Sequence, residues 1–365
     1  MSAPVTIRVE LSERSYDIRI AWGILDQAGS FVAERLKGRQ AVVITDGNVR
    51  QPHGDKVAAS LAASGIRTET LVVPAGEVTK SAEQAAALWN RLLELGADRK
   101  TFVVAVGGGV VGDLAGFVAA TYARGIPFVQ VPTSLMAQVD SSVGGKVGIN
   151  LPLAKNLVGA FWQPAGVLID LAVLDTLPAR EYRSGLAEVV KYGVILDEEF
   201  FKYLETHVAE IIARDTATLL HLVRRSCELK AQVVATDEHE ETGLRAVLNY
   251  GHTFCHAIET VSGYGTYLHG EAVAIGMVRA SRLAELVGRI HADLTARQMK
   301  LLSSLGLPTS VSGLDVDALM TAMQRDKKAE QGKLKFVLPS RLGSVELIEG
   351  VKVELVRQAW EFSGH

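Results

Sequence analysis

The sequence predicts an α/β N-terminal domain over residues 1–179 and a mostly α-helical C-terminal domain over residues 180–365. A length of 365 residues favours two domains, because one domain usually holds about 100–200 residues. Short apolar segments alternate with helical patterns in the first half, which is typical of a largely parallel sheet covered by helices. From Arg180 onward the apolar residues repeat with the period of a helix. We therefore expect a boundary near Leu177 and Pro178, with a ligand site between the two domains.

The elements of the first domain follow from alternation, apolar runs and capping residues. Val5–Glu10 and Tyr16–Ile20 alternate as the strands of a hairpin do. Ser81–Leu95 has the leucine spacing of an amphipathic helix, and Ser81 with Gln84 predicts a capping box at its start. Further strands are predicted at Ala41–Thr45, Ile66–Val73, Thr101–Val106, Pro127–Val131 and Val167–Asp170.

The second domain is predicted to be helical almost throughout. Helical periodicity covers residues 180–195, 198–213, 215–235, 242–261, 268–287, 291–305 and 314–325. Lys333–Pro339 and Ser344–Ile348 alternate instead and predict one small hairpin.

Composition excludes several classes of protein. Hydrophobic residues make up 48% and charged residues 22%, as in folded globular domains and unlike disordered chains. The net charge of 38 − 41 = −3 argues against nucleic acid as a partner. Two cysteines form no disulfide framework, so we expect a cytoplasmic protein. The apolar segment 101–123 contains five glycines, which favours a strand, a turn and a buried helix over a membrane helix.

Three turns at predicted strand ends indicate a nucleotide. Residues 107–113, GGGVVGD, contain G-x-G-x-x-G between a strand and a helix, where backbone N–H groups can bind phosphate. An ordinary tight strand–helix turn would give the same pattern. Residues 45–48 and 76–80 place an acid, hydroxyls and a lysine at two other strand ends. Together the three turns favour a Rossmann-like domain that binds a nucleotide at the carboxyl edge of its sheet.

A polar segment at 138–146, QVDSSVGGK, has two interpretations. It is either a solvated loop or, with Asn150, Lys155 and Asn156 after it, part of a site for an anionic, hydroxylated ligand.

The helical domain carries residues suited to a metal ion. Glu188 and Lys191 share one helix face. They are either an ordinary local ion pair or a metal-bound carboxylate beside a catalytic lysine. His252 and His256 stand one helical turn apart, and His269 follows a glycine-containing turn. One carboxylate with histidines suits catalytic Zn²⁺, although the spacing does not identify which two histidines bind.

Two further predictions concern polar groups near these histidines. Asn249 is expected on the same helix face as His252 and His256. Several cations in this part of the chain are either surface charges or a clamp for phosphate or carboxylate: Lys230, Arg245, Arg325, Lys327 and Lys328.

Six segments together resemble the 3-dehydroquinate synthase family of sugar phosphate cyclases, in an order that covers nearly the whole chain. They are GGGVVGD at 107–113, QVDSSVGGK at 138–146, KNLVGAFWQP at 155–164, GLAEVVKYG at 185–193, LNYGHTFCHAIE at 248–259 and LHGEAVA at 268–274. The resemblance implies an NAD-binding first domain, a metal- and substrate-binding second domain, and a homodimer that acts on a small sugar phosphate. It implies neither a membrane nor a nucleic acid partner.

The resemblance also assigns roles to individual residues. Metal ligands, for Zn²⁺ or alternatively Co²⁺, are Glu188, His252 and His269. Substrate phosphate contacts are Lys146, Asn156, Asn249, His256 and Lys327, with Arg124 reaching the partner subunit's site. Lys230 and Arg245 match residues that hold a substrate carboxylate, and Asp140 and Lys191 match residues around the reacting hydroxyls. The family's glutamate near residue 240 falls on Glu241 or Glu240, and the count back from Arg245 favours Glu241. NAD contacts fall on Asp46, Glu77, Lys80, Gly108, Gly109, Asp113, Thr133, Ser134, Lys146, Lys155, Thr176 and Glu181.

The implied reaction converts 3-deoxy-D-arabino-heptulosonate 7-phosphate into 3-dehydroquinate and phosphate. In the family mechanism, transient oxidation at C5 permits loss of phosphate, and reduction, ring opening and aldol closure follow. Two alternatives are another sugar phosphate cyclase and an NAD- and metal-dependent polyol dehydrogenase. Neither would need the carboxylate contacts Lys230 and Arg245.

Overall fold

The computed structural model describes residues 4–152, 154–263, 265–329 and 334–363. The chain divides into two compact units. The first contains residues 1–178 and 219–239, and the second contains residues 179–218 and 240–365. The first change of unit, between residues 178 and 179, lies one residue before the predicted domain boundary between residues 179 and 180. The assignment of residues 219–239 to the second domain differs from this division, because the segment bonds to the first unit through Cys227 and Lys230.

The first unit is built on a sheet whose strands are apolar and buried. Its strands are β1 (Val5–Val9), β2 (Tyr16–Ala21), β3 (Gln40–Asp46), β4 (Arg67–Val73), β5 (Phe102–Gly107), β6 (Phe128–Pro132) and β9 (Gly166–Asp170). Between β6 and β9 in the chain, β7 (Lys146–Leu151) and β8 (Ala154–Phe161) form a separate hairpin. The spatial order is β1-β2-β9-β6-β5-β3-β4. β1 and β2 pair antiparallel, and the other pairs are parallel, with Val104 of β5 opposite Val43 of β3 and Val129 of β6.

Helices cover this sheet where their apolar residues face it. They are α1 (Ala28–Ala33), α2 (Asp55–Ala63), α3 (Ala82–Glu94) and α4 (Gly109–Thr121). The side chain of Ser81 accepts a hydrogen bond from the Gln84 amide at the start of α3, which is one of the two bonds of the predicted capping box. Leu114, Ala115 and Val118 of α4 are completely buried, which explains why segment 101–123 is so apolar. No helix in the described parts of the chain is long and apolar enough to span a bilayer.

The segment at 138–146 is not a solvated loop. Residues 137–141 form one wide helical turn in which Gln138 is 0% exposed, as is Ser142 just beyond it. β7 and β8, which the sequence did not predict, follow this turn as an antiparallel hairpin.

The second unit is helical, with one small hairpin. Its helices are α5 (Ala179–Leu196), α6 (Glu198–Thr206), α7 (Val208–Ile212), α9 (His252–Ser262), α10 (His269–Leu286), α11 (Ala292–Ser304), α12 (Val316–Ala329) and α13 (Val353–Trp360). The remaining helix, α8 (Thr216–Thr236), belongs to the first unit from residue 219 onward. The hairpin joins β10 (Lys335–Arg341) to β11 (Ser344–Glu349). Lys333, which was predicted to start this hairpin, lies outside the described residues.

The predicted helix at 242–261 is wrong in its first half. Residues 244–249 form a 3₁₀ turn, and Gly251 then takes a left-handed φ of 81° before α9 begins. A Cβ at Gly251 would lie 2.7 Å from the Met277 amide nitrogen of α10, so only glycine allows this approach. Asn249 therefore does not share a helix face with His252 and His256, as the sequence analysis had expected.

Candidate metal centre and nucleotide-binding turns

Three side chains of the second unit converge as a metal site requires. Glu188 lies within α5, while His252 and His269 are the first residues of α9 and α10. Glu188 Oε1 lies 3.8 Å from His252 Nε2 and 4.0 Å from His269 Nε2. The helix starts thus bring two imidazoles to one carboxylate, and the three ligand atoms lie within 4.8 Å of one another.

These distances fit a shared ion better than direct hydrogen bonds. Hydrogen bonds between such atoms are about 2.7–3.2 Å long, and both distances exceed that range. Nitrogen and oxygen ligands that each lie about 2.0–2.2 Å from one Zn²⁺ ion would themselves be separated by about 3–4 Å. Three protein ligands also leave a coordination position for a substrate oxygen.

The protonation of His252 suits a metal ligand. Burial lowers its pKa well below the ordinary histidine value, which favours the neutral imidazole. Its Nδ1 lies 3.2 Å from the Tyr250 carbonyl oxygen, and donation to that oxygen leaves the Nε2 lone pair directed at Glu188 Oε1.

Lys191 stands next to this centre, one turn after Glu188 in α5. Its ammonium contacts Glu188 Oε2 directly, and both side chains are almost completely buried. The structure therefore shows the local ion pair of the first interpretation, formed by the same carboxylate that faces His252 and His269.

His256 and two unpredicted side chains surround the histidines. The rings of His256 and His252 stand edge to face, with their centroids 5.8 Å apart, and His256 is exposed. Cys255 and Glu259, both buried, face the Nδ1 side of His269. Glu259 could have been found from the sequence, since it is an acidic residue in an apolar stretch two helical turns after His252.

In the first unit, the glycine turn connects β5 to α4 as expected. Cβ atoms at Gly108 and Gly109 would lie 3.4 Å from Ser134 Oγ and 3.1 Å from Ser141 Oγ. The first N–H groups of a helix lack partners within it, so the start of α4 offers donors to an anion. Ser141 Oγ is buried and has no hydrogen-bond partner among the described residues. A nucleotide pyrophosphate fits this combination of bare backbone and hydroxyls.

A buried ion pair connects the glycine turn to the turn after β4. Lys80 Nζ lies 2.8 Å from Asp113 Oδ2 and 3.8 Å from Glu77 Oε1. Burial alone would lower the pKa of Lys80, but the carboxylates of Asp113 and Glu77 outweigh it and raise the pKa. Asn150 Nδ2 donates to Glu77 Oε1 at 2.7 Å, which joins the β7–β8 hairpin to the same cluster.

Other predicted NAD residues lie at the carboxyl ends of the parallel strands. Asp46, at the end of β3, accepts hydrogen bonds from the amides of Asn48 and Val49. Thr133 follows β6, and its amide donates to the Gly107 carbonyl oxygen at 2.9 Å. Thr176 is the last residue of the 3₁₀ helix Leu171–Thr176 that follows β9. Its Oγ1 lies 2.8 Å from Nε2 of buried His53, which the prediction did not include. Three residues lie elsewhere: Lys146 at the start of β7, Lys155 in β8 and Glu181 in α5 of the second unit.

The predicted substrate residues of the first unit differ in their exposure to solvent. Lys230 Nζ donates to the Asp140 carbonyl oxygen at 2.7 Å and to Asp140 Oδ1 at 2.8 Å. Lys146 is exposed at the start of β7. Arg124 is also exposed, and both Arg124 and Asn156 take left-handed backbone angles, with φ of 67° and 54°.

In the second unit, Arg245 is 2% exposed and its Nε lies 3.6 Å from Glu240 Oε1. Glu240 is the alternative that the sequence count ranked after Glu241, and both glutamates are exposed. Asn249 is exposed in the 3₁₀ turn that precedes His252. The side chains of Arg325, Lys327 and Lys328 lie outside the described part of the structure.

Comparison with known proteins identifies the family. Residues 70–184 match the family described as 3-dehydroquinate synthase N-terminal, and residues 185–329 match 3-dehydroquinate synthase C-terminal. The chain is 50% identical over 348 residues to the 3-dehydroquinate synthase of Desulforamulus reducens, covering 95% of this chain and 97% of that protein.

Two solved structures share the whole architecture. A 2-deoxy-scyllo-inosose synthase in complex with carbaglucose-6-phosphate, NAD⁺ and Co²⁺ superposes with a TM-score of 0.88 at 27% identity, covering 98% of this chain and 99% of that one. The 2-epi-5-epi-valiolone synthase of Streptomyces hygroscopicus subsp. jinggangensis 5008, with NAD⁺ and Zn²⁺ bound, has a TM-score of 0.87 at 29% identity, covering 96% and 97%. The matches to both family regions, together with a relative half identical over nearly its full length, show that this chain belongs to the 3-dehydroquinate synthase family.

Proposed function

We propose that the chain is a 3-dehydroquinate synthase, which converts 3-deoxy-D-arabino-heptulosonate 7-phosphate into 3-dehydroquinate and phosphate. The arrangement of Glu188, His252 and His269 carries this proposal, because it provides a metal centre with an open position. Relatives of that name are about half identical to this chain, whereas the cyclases that make other products are 27% and 29% identical. The identities favour the dehydroquinate product over those of the other cyclases.

NAD and a divalent metal ion are the groups that the site residues fit. The start of α4, with Ser134 and Ser141, would hold the pyrophosphate of NAD, and Glu188, His252 and His269 would hold Zn²⁺ or Co²⁺. When bound, they supply a reversible hydride acceptor and a Lewis acid that polarises the oxygen at the reacting carbon.

Charged residues of the chain would bind and orient the substrate. Lys191 provides a buried ammonium beside Glu188 and would donate a hydrogen bond to the reacting hydroxyl. Lys230, which Asp140 holds in place, and Arg245 are cations suited to the substrate carboxylate. The exposed Lys146 is suited to the phosphate.

The assembly and location of the protein belong to the same proposal. A homodimer would let Arg124, exposed on left-handed backbone, reach the phosphate in the partner subunit's site. Sedimentation velocity of the purified protein should give the mass of two chains. A cytoplasmic location is consistent with two buried, unpaired cysteines, Cys227 and Cys255.

One assay tests the proposed reaction. Purified protein is given substoichiometric NAD⁺, Co²⁺ or Zn²⁺ and the heptulosonate phosphate, and released phosphate and accumulated NADH are both measured. Phosphate should be released over many turnovers without net NADH, because the oxidised carbon is reduced again before product leaves. Net NADH without phosphate would contradict the proposal and favour a polyol dehydrogenase.

A further inference from the structure

Glu259 of α9 is a buried carboxylate to which no role has yet been assigned. The residue is 7% exposed and lies two helical turns after the metal ligand His252. A buried carboxylate is costly unless it accepts hydrogen bonds from a suitable partner. Its Oε1 lies 3.2 Å from His269 Nδ1, on the side of that ring away from Glu188.

We propose that Glu259 is a positioning residue that accepts a hydrogen bond from His269 Nδ1–H and thereby presents Nε2 to the metal ion. The inference rests on the metal centre in the proposed function. If Nδ1–H donates to Glu259, the neutral ring has its lone pair on Nε2, which faces Glu188 Oε1. Glu259 therefore fixes both the tautomer and the rotation of the ring.

His252 supports this interpretation because its ring is arranged in the same way. Its Nδ1 lies 3.2 Å from the Tyr250 carbonyl oxygen, and its Nε2 also faces Glu188 Oε1. Each histidine thus has an oxygen acceptor behind it and the shared carboxylate in front. The two acceptors differ in charge, because Glu259 offers a carboxylate and Tyr250 a neutral carbonyl. A carboxylate behind the ring makes the imidazole a stronger electron-pair donor to the metal than a carbonyl does.

Cys255 offers a competing arrangement. Its Sγ lies 3.8 Å from His269 Nδ1, and with Glu259 it forms a second group whose ligand atoms lie within 4.8 Å of one another. A metal on this side would bind His269 Nδ1 and so remove its hydrogen bond to Glu259. It would also require Cys255, which is 0% exposed, to be a thiolate. The hydrogen-bond distance between Nδ1 and Oε1 favours the role of Glu259 behind the ring rather than as a ligand.

Cobalt binding separates the two arrangements. The metal-free protein and its variants Glu259→Gln, Glu259→Ala and Cys255→Ser are titrated with Co²⁺ against a chelator, and the visible spectrum is recorded. Glu259→Ala should weaken Co²⁺ binding about 10- to 100-fold and change the d–d bands, because the ring is no longer held. Glu259→Gln keeps an acceptor oxygen and should lie between Glu259→Ala and the parent protein. Cys255→Ser should keep the parent's affinity and spectrum.

Each contrary result has a distinct meaning. Unchanged Co²⁺ affinity and spectrum in both Glu259 variants would overturn the inference. So would a sulfur-to-cobalt charge-transfer band that Cys255→Ser abolishes, since the metal would then occupy the Cys255 group. If Glu188→Gln left Co²⁺ affinity unchanged, the metal centre of the proposed function would itself be wrong. Thermal unfolding of the metal-free variants identifies any that merely fail to fold, and the Gln variant retains the shape of Glu259.

Discussion

Replacing Gly251 by alanine should destabilise the protein and weaken metal binding together. Gly251 has a φ of 81°, and its added Cβ would lie 2.7 Å from the Met277 amide nitrogen. A left-handed conformation costs an L-residue about 1–2 kcal/mol. Forcing an extra carbon into a tightly packed contact costs about 1–3 kcal/mol more. The free energy of unfolding should therefore fall by about 2–5 kcal/mol, as the sum of these two costs.

Gly243 provides a matched control. Its φ is 78°, but a Cβ there would meet nothing within 4 Å. Gly243→Ala should consequently cost only the left-handed strain, about 1–2 kcal/mol. Denaturant unfolding of both variants, followed by circular dichroism, measures the difference, and Co²⁺ titration shows whether His252, the next residue after Gly251, remains in place.

Equal losses of stability in the two variants would refute the reasoning, because the close approach of α9 to α10 would then have no measurable effect. An unchanged Co²⁺ affinity in Gly251→Ala, despite a large loss of stability, would show that this glycine does not position His252.

Three further predictions concern the site residues. Glu188→Gln should lose bound metal and turnover but keep its fold, and full metal occupancy by elemental analysis would contradict the ligand assignment. Arg245→Ala removes a charge-assisted hydrogen bond of roughly 1.5–3 kcal/mol, so kcat/KM should fall about 10- to 150-fold with the natural substrate and much less with an analogue lacking the carboxylate. Lys146→Ala, at a proposed phosphate contact, should affect both substrates alike, and equal losses for Arg245→Ala would make Arg245 structural. Lys80→Met and Asp113→Asn should each weaken NAD⁺ binding, as measured by calorimetry. Because the charged atoms of the two residues lie 2.8 Å apart, the double variant should lose less binding free energy than the sum of the two single losses. Strict additivity would show that the pair does not act as a unit.

The features that the sequence predicted well are those carried by local patterns. The strand–glycine–helix segment at 101–121 is recognisable because a buried strand, a glycine cluster and a buried helix each leave a local signature. The candidate metal group Glu188, His252 and His269, whose ligand atoms the structure brings within 4.8 Å of one another, was proposed from the resemblance, since helical spacing alone did not distinguish His256 from His269.

The features that the sequence did not predict depend on contacts between distant segments. The break before α9 requires the close approach of Gly251 to Met277, which helical periodicity does not reveal. Residues 219–239 look like any amphipathic helix, yet Lys230 and Cys227 bond to residues 138–140 of the first unit. The proximity of Glu259 to His269 likewise depends on how α9 packs against α10.

The most direct test of the account follows a deuterium label at C5 of the substrate through turnover. If the oxidation at that carbon is transient and the cofactor stays bound, the label should be retained at the equivalent carbon of 3-dehydroquinate, with none in free NADH. Mass spectrometry of the product and of the nucleotide measures both. Label found in released NADH, or a product that has lost it while phosphate is set free, would contradict the account.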